Sequence, residues 1–247
     1  MDQPTPVSHR LTGRWLGRQR YEPVLALQRQ LHAARQRGEI EDSVLFVEHD
    51  AVITLGRAFK PQHLLASREL LAQVGVDLAE IDRGGDVTLH APGQLVCYPI
   101  VDLRPDRCDV RRYVNALAES MRRVVNDFGL DAGSVDGMVG LWVDTASPAR
   151  WPGQSDAREL AKIGAIGVRI SHWVTMHGYA LNLSTDLRQF GLIVPCGISE
   201  HPVISVEALT GRAVTVASAV PRAYTHLCEV LGVQAAGLVD ESERRLS

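Results

Sequence analysis

The chain has 247 residues, 45% of them hydrophobic and 22% charged, with a net charge of −3 at pH 7. That is the make-up of a folded protein with a substantial core, and it excludes a nucleic-acid partner held by bulk positive charge. No apolar run approaches the roughly 18 residues of a membrane span, and the first residues lack the apolar segment of a secretory signal.

The first nine residues are polar and proline-containing and read as a loose arm, as do residues 238–247 at the other end. Residues 21–37 predict a helix with Val24, Leu27, Leu31 and Ala34 on one face and Gly38 as its stop. Residues 44–47 and 51–55 predict a strand pair turning at His49-Asp50. A short helix over 67–73 and a strand over 78–82 follow, then a largely apolar strand over 95–103. Residues 109–128 carry the strongest helical pattern, with Asp109 as cap, Tyr113, Leu117, Val124 and Phe128 as the buried stripe, and Gly129 as the end. Strands are expected over 138–143, 162–170 and 176–184, and a last helix over 217–231. Residues 144–158 read as a surface loop, either a lid or a variable insertion. Strands and helices mix without strict alternation, so the expected fold class is α/β: one catalytic domain, 1–247, with a mixed sheet flanked by helices.

Two residues draw attention to chemistry. Lys162 opens Lys-Ile-Gly-Ala-Ile-Gly167, and Cys196 sits in Val194-Pro-Cys-Gly197. On residue type alone Lys162 is a strand-edge lysine that reaches to water, but Gly164 and Gly167 suggest a bulge or a close backbone approach. Cys97, Cys108 and Cys228 read as small hydrophobes, whereas the Pro-Cys-Gly frame puts Cys196 in a turn. A thiol is a good nucleophile as thiolate, and a neighbouring ammonium favours that form. If the fold joins the pair, thioester chemistry follows. The four cysteines show no zinc spacing, so free thiols in a reducing cytoplasm, and no metal, are expected. In Arg83-Gly-Gly-Asp-Val-Thr-Leu-His90 and Gln94, polar groups crowd beside an apolar strand; either a pocket or a turn followed by a half-buried strand accounts for them. Alternation in His177-Gly-Tyr-Ala-Leu-Asn182 puts Ala180 and Asn182 on one face and Tyr179 and Leu181 on the other. His177 itself is open to a structural role or that of a base.

Taken together these segments resemble the octanoyltransferases of lipoate biosynthesis. Arg83-Gly-Gly-x-x-Thr-x-His90 with Pro92-Gly93-Gln94 and Tyr98, Lys162 to Gly167, His177 to Asn182, and Pro195-Cys-Gly-Ile198 occur in the family's order. The resemblance spans about residues 44–209. One departure is Leu89, where the family usually carries an aromatic residue.

The resemblance implies a domain like the catalytic domain of biotin and lipoate protein ligases. It also implies a reaction in which Cys196 takes an octanoyl group from octanoyl-acyl carrier protein as a thioester. The group then passes to a lysine of a lipoyl domain, in 2-oxoacid dehydrogenase complexes or the glycine-cleavage H protein. Lys162 would hold the thiolate and shuttle the proton. The acyl pocket maps onto Arg83, Gly84, Gly85, Asp86, Val87, Thr88, Leu89 and His90, with Ala165, Ile166 and Gly167, and Gly178, Tyr179 and Ala180. His177 would support it, and the small residues Ala165, Gly167 and Gly178 would leave room for the alkyl chain. No cofactor or membrane is implied. Arg104, Arg107, Arg111, Arg112, Arg122 and Arg123 offer a basic cluster to acidic protein partners, although a solvated surface explains most of them. The rival reading is an ATP-dependent lipoate- or biotin-type ligase, against which stand Cys196 and the lack of a nucleotide-loop motif.

Overall fold

The computed structural model describes residues 9–197 and 200–246; of Cys196 only the backbone is described, and its side chain lies outside the described residues. Of the expected loose arm, residues 1–9, all but His9 also fall outside them. The main sheet has eight strands, in the order β11 (Gln234–Asp240), β1 (Arg10–Gln19), β2 (Asp42–His49), β6 (Gln94–Ile100), β10 (Val174–Asn182), β9 (Leu160–Ser171), β8 (Met138–Asp144), β7 (Gly133–Val135). β1 runs parallel to both its neighbours, and every other pairing is antiparallel. A second sheet of three strands orders β4 (Asp77–Glu80), β3 (Val52–Leu55) and β5 (Val87–His90).

Of the helices α1 (Tyr21–Gln36), α2 (Arg68–Gln73), α3 (Val110–Asn126), α4 (Val206–Thr210) and α5 (Val216–Leu231), α3 and α5 cover one face of the main sheet. Leu117, Met121 and Val124 of α3 and Val220, Ala223 and Leu227 of α5 pack there on Phe46, Leu95, Tyr179 and Leu181. Asp109 caps α3 by accepting from the Arg112 amide at 2.9 Å, as its sequence predicts. Helix α1 (Tyr21–Gln36) covers the other face, where Val24 meets Leu45, Val47, Val96 and Ala180. The architecture is thus the expected α/β mixed sheet between helices. Among the described residues no helix is long and apolar enough to cross a membrane.

Four expectations need correction. The buried stripe of α1 is Tyr21, Val24, Leu25, Gln28 and His32, not Val24-Leu27-Leu31-Ala34. Two polar residues turn inward because each has a backbone partner: Gln28 accepts from the His177 amide at 3.1 Å, and His32 meets the Val174 carbonyl at 3.2 Å. β2 and β3 do not pair; they part at Asp50 and enter different sheets. β1 went unread because Gly13 and Gly17 interrupt its alternation. Gly13 lies against Tyr224, whose hydroxyl donates to the Leu11 carbonyl at 2.6 Å. Finally, residues 238–246 are tied down rather than loose. β11 pairs with β1, Arg14 grips Glu241 with two hydrogen bonds, and Gln19 Oε1 accepts from the Leu246 amide.

The loop after β8 is fastened at its base, where Asp144 accepts from the Ala146 and Glu159 amides. Its middle docks on the sheet edge, with Trp151 over Gly133 and the Trp151 amide on Asp131. At the opposite end of the sheet, buried Asp42 accepts from the Asp102 amide at 2.9 Å, from Arg35 at 2.8 Å and from Arg107 at 3.3 Å. Removing one partner of such a network strands the others' charges away from water. Asp42→Ala is therefore expected to lose about 3–5 kcal/mol in urea unfolding, whereas the exposed Glu39→Ala should keep the parent's urea midpoint.

Candidate functional site

Three adjacent strands floor the site. Ala165 lies opposite Ala180 and Gly167 opposite Gly178 across β9 and β10, while β10 sets Asn182 against Gln94 and Tyr179 against Cys97 of β6. Regular alternation would send Lys162 and Ala165 to opposite faces. It does not, because β9 spends an extra residue, Ile163, between the pairs Trp142–Lys162 and Leu141–Gly164. Ile163 and Gly164 then both face α3, where a Cβ on Gly164 would press on Met121. Lys162 and Ala165 both face the opposite side, where they border one cavity.

That side holds two joined hollows. The larger, of about 450 Å³, is lined by Arg83, Gly85, Thr88 and His90, by Ala165, Ile166 and Gly167, and by Gly178, Tyr179 and Ala180, with Tyr21, Tyr98 and His177 closing it. The smaller, about 290 Å³, shares Thr88, Ala165 and Ala180 and adds Lys162, Gln94, Asn182, Phe190, Pro195 and Val203. Lys162 is 5% exposed and stands 5.4 Å over the Trp142 ring. β10 parts from β9 beyond Gly164, and the segment following the Cys196 turn takes its place. The Lys162 amide donates to the Pro202 carbonyl at 2.8 Å, and the Ile204 amide donates to the Lys162 carbonyl at 3.0 Å. Pro195–Gly197 forms a 3₁₀ turn packed against β5.

Residues 20–228 match the model of the lipoyl protein ligase A/B catalytic domain. In fold the chain is similar to the bi-partite lipoate protein ligase of Thermoplasma acidophilum, with a TM-score of 0.69 at 15% identity, covering 95% of this chain and 89% of that one. It is 45% identical to an octanoyltransferase of Koribacter versatilis, over 83% of this chain and 78% of that one. With an octanoyltransferase of Chloroflexus aurantiacus the identity is 44%, over 91% and 95%. The chain belongs to the octanoyltransferases. It is accordingly an acyltransferase.

Within this octanoyltransferase, Arg83, Gly85, Thr88, His90, Ala165, Ile166, Gly167, Gly178, Tyr179 and Ala180 border the larger hollow. Gly84, Asp86, Val87 and Leu89 do not. Val87 and Leu89 point into a separate core with Ile53 and Leu71, so an aliphatic Leu89 meets that core rather than the cleft. The Gly84 amide instead binds the Val168 carbonyl at 2.9 Å, joining the small sheet to β9. Ala165, Gly167 and Gly178 all border the hollow. Two of them also admit close neighbours within the chain: a Cβ on Gly178 would strike the Cys97 carbonyl, and one on Gly167 would lie 2.9 Å from Arg83 Cδ.

Tyr21 and His49 escaped the sequence reading of the site, and Tyr98 entered it only as part of a motif, since nothing in the α1 or β2 pattern marks a ring as a neighbour of the cavity. Tyr21 stacks on His90 with centroids 6.0 Å apart, and the Tyr98 hydroxyl meets His49 Nε2 at 3.0 Å. Gln94 Nε2 donates to Asn182 at 2.9 Å, which leaves Gln94 Oε1 to accept from His90 Nδ1 at 2.8 Å. His177 has φ +59, a left-handed conformation inside a strand, and is held by Asp82 at 3.1 Å. Of the six arginines, Arg104, Arg107, Arg122 and Arg123 are engaged by Asp102, Asp42 and Glu119, which leaves Arg111 and Arg112 exposed.

Burial lowers the pKa of His49 to about 4, of His90 to about 3 and of His177 to about 4, so all three are neutral at pH 7. Unfolding exposes imidazoles that bind protons below about 6.5. The unfolded chain then holds more protons than the folded one, and stability must fall as pH drops from about 6.5 toward 4. Urea midpoints measured across that range should show this decline, and His90→Gln should flatten it; an unchanged slope in His90→Gln would contradict the assignment.

Proposed function

We propose that this chain transfers an octanoyl group from octanoyl-acyl carrier protein to the lysine of a lipoyl domain through a thioester on Cys196, in the reducing cytoplasm. The observation that carries the reading is the shared cavity. Lys162 and Pro195, the first residue of the turn Pro195–Gly197, border one hollow, and that hollow shares Thr88, Ala165 and Ala180 with the larger cleft. An acyl chain in the larger cleft would gain about 0.8 kcal/mol per buried methylene and place its carbonyl at the Lys162 end.

In the first step the Cys196 thiolate attacks the octanoyl carbonyl carbon, the carbon–sulfur bond to the carrier breaks, and the carrier thiolate leaves and takes up a proton. In the second the neutral amine of the acceptor lysine attacks the acyl-enzyme. The bond to Cys196 breaks, an amide forms, and the amine's proton is handed on while the thiolate is restored. The Lys162 ammonium, close to the Cys196 turn, favours the thiolate and is placed to give and take these protons. Acceptors of this chemistry are the lipoyl domains of 2-oxoacid dehydrogenase complexes and the glycine-cleavage H protein. Arg83, Thr88 and His90 would line the path of the acyl chain.

Intact-mass analysis after exposure to octanoyl-acyl carrier protein is expected to show one octanoyl adduct, mapping to Cys196. Cys196→Ser should lose turnover by at least about a thousandfold with the fold kept. Efficient ligation of free octanoate with ATP, without an adduct, would replace the transferase reading by a ligase. Lys162→Ala should slow turnover about 10²–10⁴-fold and move alkylation of Cys196 to higher pH; an unchanged labelling profile would remove the lysine from this role.

A further inference from the structure

Asp86 belongs to the loop that resembles an acyl pocket, yet it borders neither hollow. It is 8% exposed, and both its oxygens are used. Oδ1 accepts from the Lys60 amide at 3.2 Å, and Oδ2 pairs with His63 Nδ1. His63 ends a 3₁₀ turn, Pro61–His63, and the residues after it seat the segment that leads to Cys196. The His63 carbonyl accepts from the Val194 amide at 2.8 Å, Leu64 bridges Ile193, and the Leu65 amide donates to the Leu192 carbonyl at 3.0 Å.

The Cε1 corner of the His63 ring lies against the turn itself. A Cβ on Gly197 would sit 2.7 Å from His63 Cε1, 3.3 Å from Nδ1 and 3.4 Å from Nε2, and Gly197 has φ +70, a conformation that glycine adopts without strain. A buried carboxylate thus fixes one ring nitrogen, and the neighbouring ring carbon lies against the residue after Cys196. Asp86 follows Gly85, which borders the cleft, so the chain of contacts runs from the acyl-pocket loop through the imidazole to the turn.

We propose that His63, held by Asp86, is a positioning residue for octanoyl transfer: it fixes the Pro195–Gly197 turn, which carries Cys196, beside the hollow that Lys162 borders. This rests on the reading of Cys196 as nucleophile. Neither His63 nor Asp86 borders the cleft, so loosening the pair should misplace the nucleophile while leaving acyl binding intact. Displacements of this size slow the chemical step without weakening ground-state binding.

The test is steady-state kinetics with octanoyl-acyl carrier protein and a lipoyl domain, at a temperature where circular dichroism shows every variant folded. His63→Asn and Asp86→Asn are each expected to lower kcat at least about tenfold, with KM for the donor changed by less than about twofold. The double variant should be no worse than the more severe single one, because the pair acts as a unit. Asp86→Glu should recover part of the loss by restoring the carboxylate. A normal kcat in the single variants, additive losses, or a loss carried by KM would overturn the proposal. Absence of a wild-type acyl adduct on Cys196 during turnover would instead overturn the nucleophile reading; an adduct with wild-type kinetics in the variants would sink His63 alone.

Discussion

The site depends on where two strands separate. β9 and β10 stay paired from the His172-Trp173 turn to Gly164 and Leu181, and beyond that point β9 needs another backbone partner. Residues 202–204 supply it through the two hydrogen bonds on Lys162. An unpaired buried amide or carbonyl is costly, so this short parallel bridge is specified as firmly as the sheet itself. Its consequence is chemical. The segment that follows the Pro195–Gly197 turn is anchored on the residue that carries the ammonium.

The bulge at Ile163 does the other half of the placement. Without the extra residue, one of Lys162 and Ala165 would face the helices. With it, the lysine stands at one end of a floor whose other end is the alanine pair of β9 and β10. The glycines next to that floor serve the backbone: Gly178 lets β10 approach β6, and Gly167 lets the Arg83 side chain lie across β9. Arg83 is in turn tied to Thr54 of the small sheet at 2.9 Å and 3.0 Å, so the cleft is bounded by two sheets held at a fixed separation.

Burial also decides what the polar groups of the cleft are. His90 and His177, and His49 behind Tyr98, are kept neutral by desolvation, each with one ring nitrogen held by Gln94, Asp82 or Gln19 respectively. Neutral imidazoles and phenols make a wall that is polar in composition yet carries little charge, which suits an apolar chain beside a reactive end. Charge is concentrated in Lys162 and Arg83.

Much was legible in the residues alone. Periodicity and capping located α1, α3 and α5, because Asp109, Gly129 and Gly38 act within a turn of their own position. Alternation assigned the two faces of β10, since a strand's side-chain period is fixed by its backbone. The motif segments named most of the residues that border the cleft. What the sequence could not decide was partnership. β2 and β3 looked like a hairpin, and nothing local says that they enter different sheets. Gln28 and His32 fall outside the stripe read for α1, because their partners are backbone groups far along the chain. Asp86 looked like a pocket residue, and its pairing with His63 follows only from the packing of two loops. Local chemistry is written in neighbouring residues; which distant segment satisfies a given amide, carboxylate or ring nitrogen is settled only when the whole chain has closed around it.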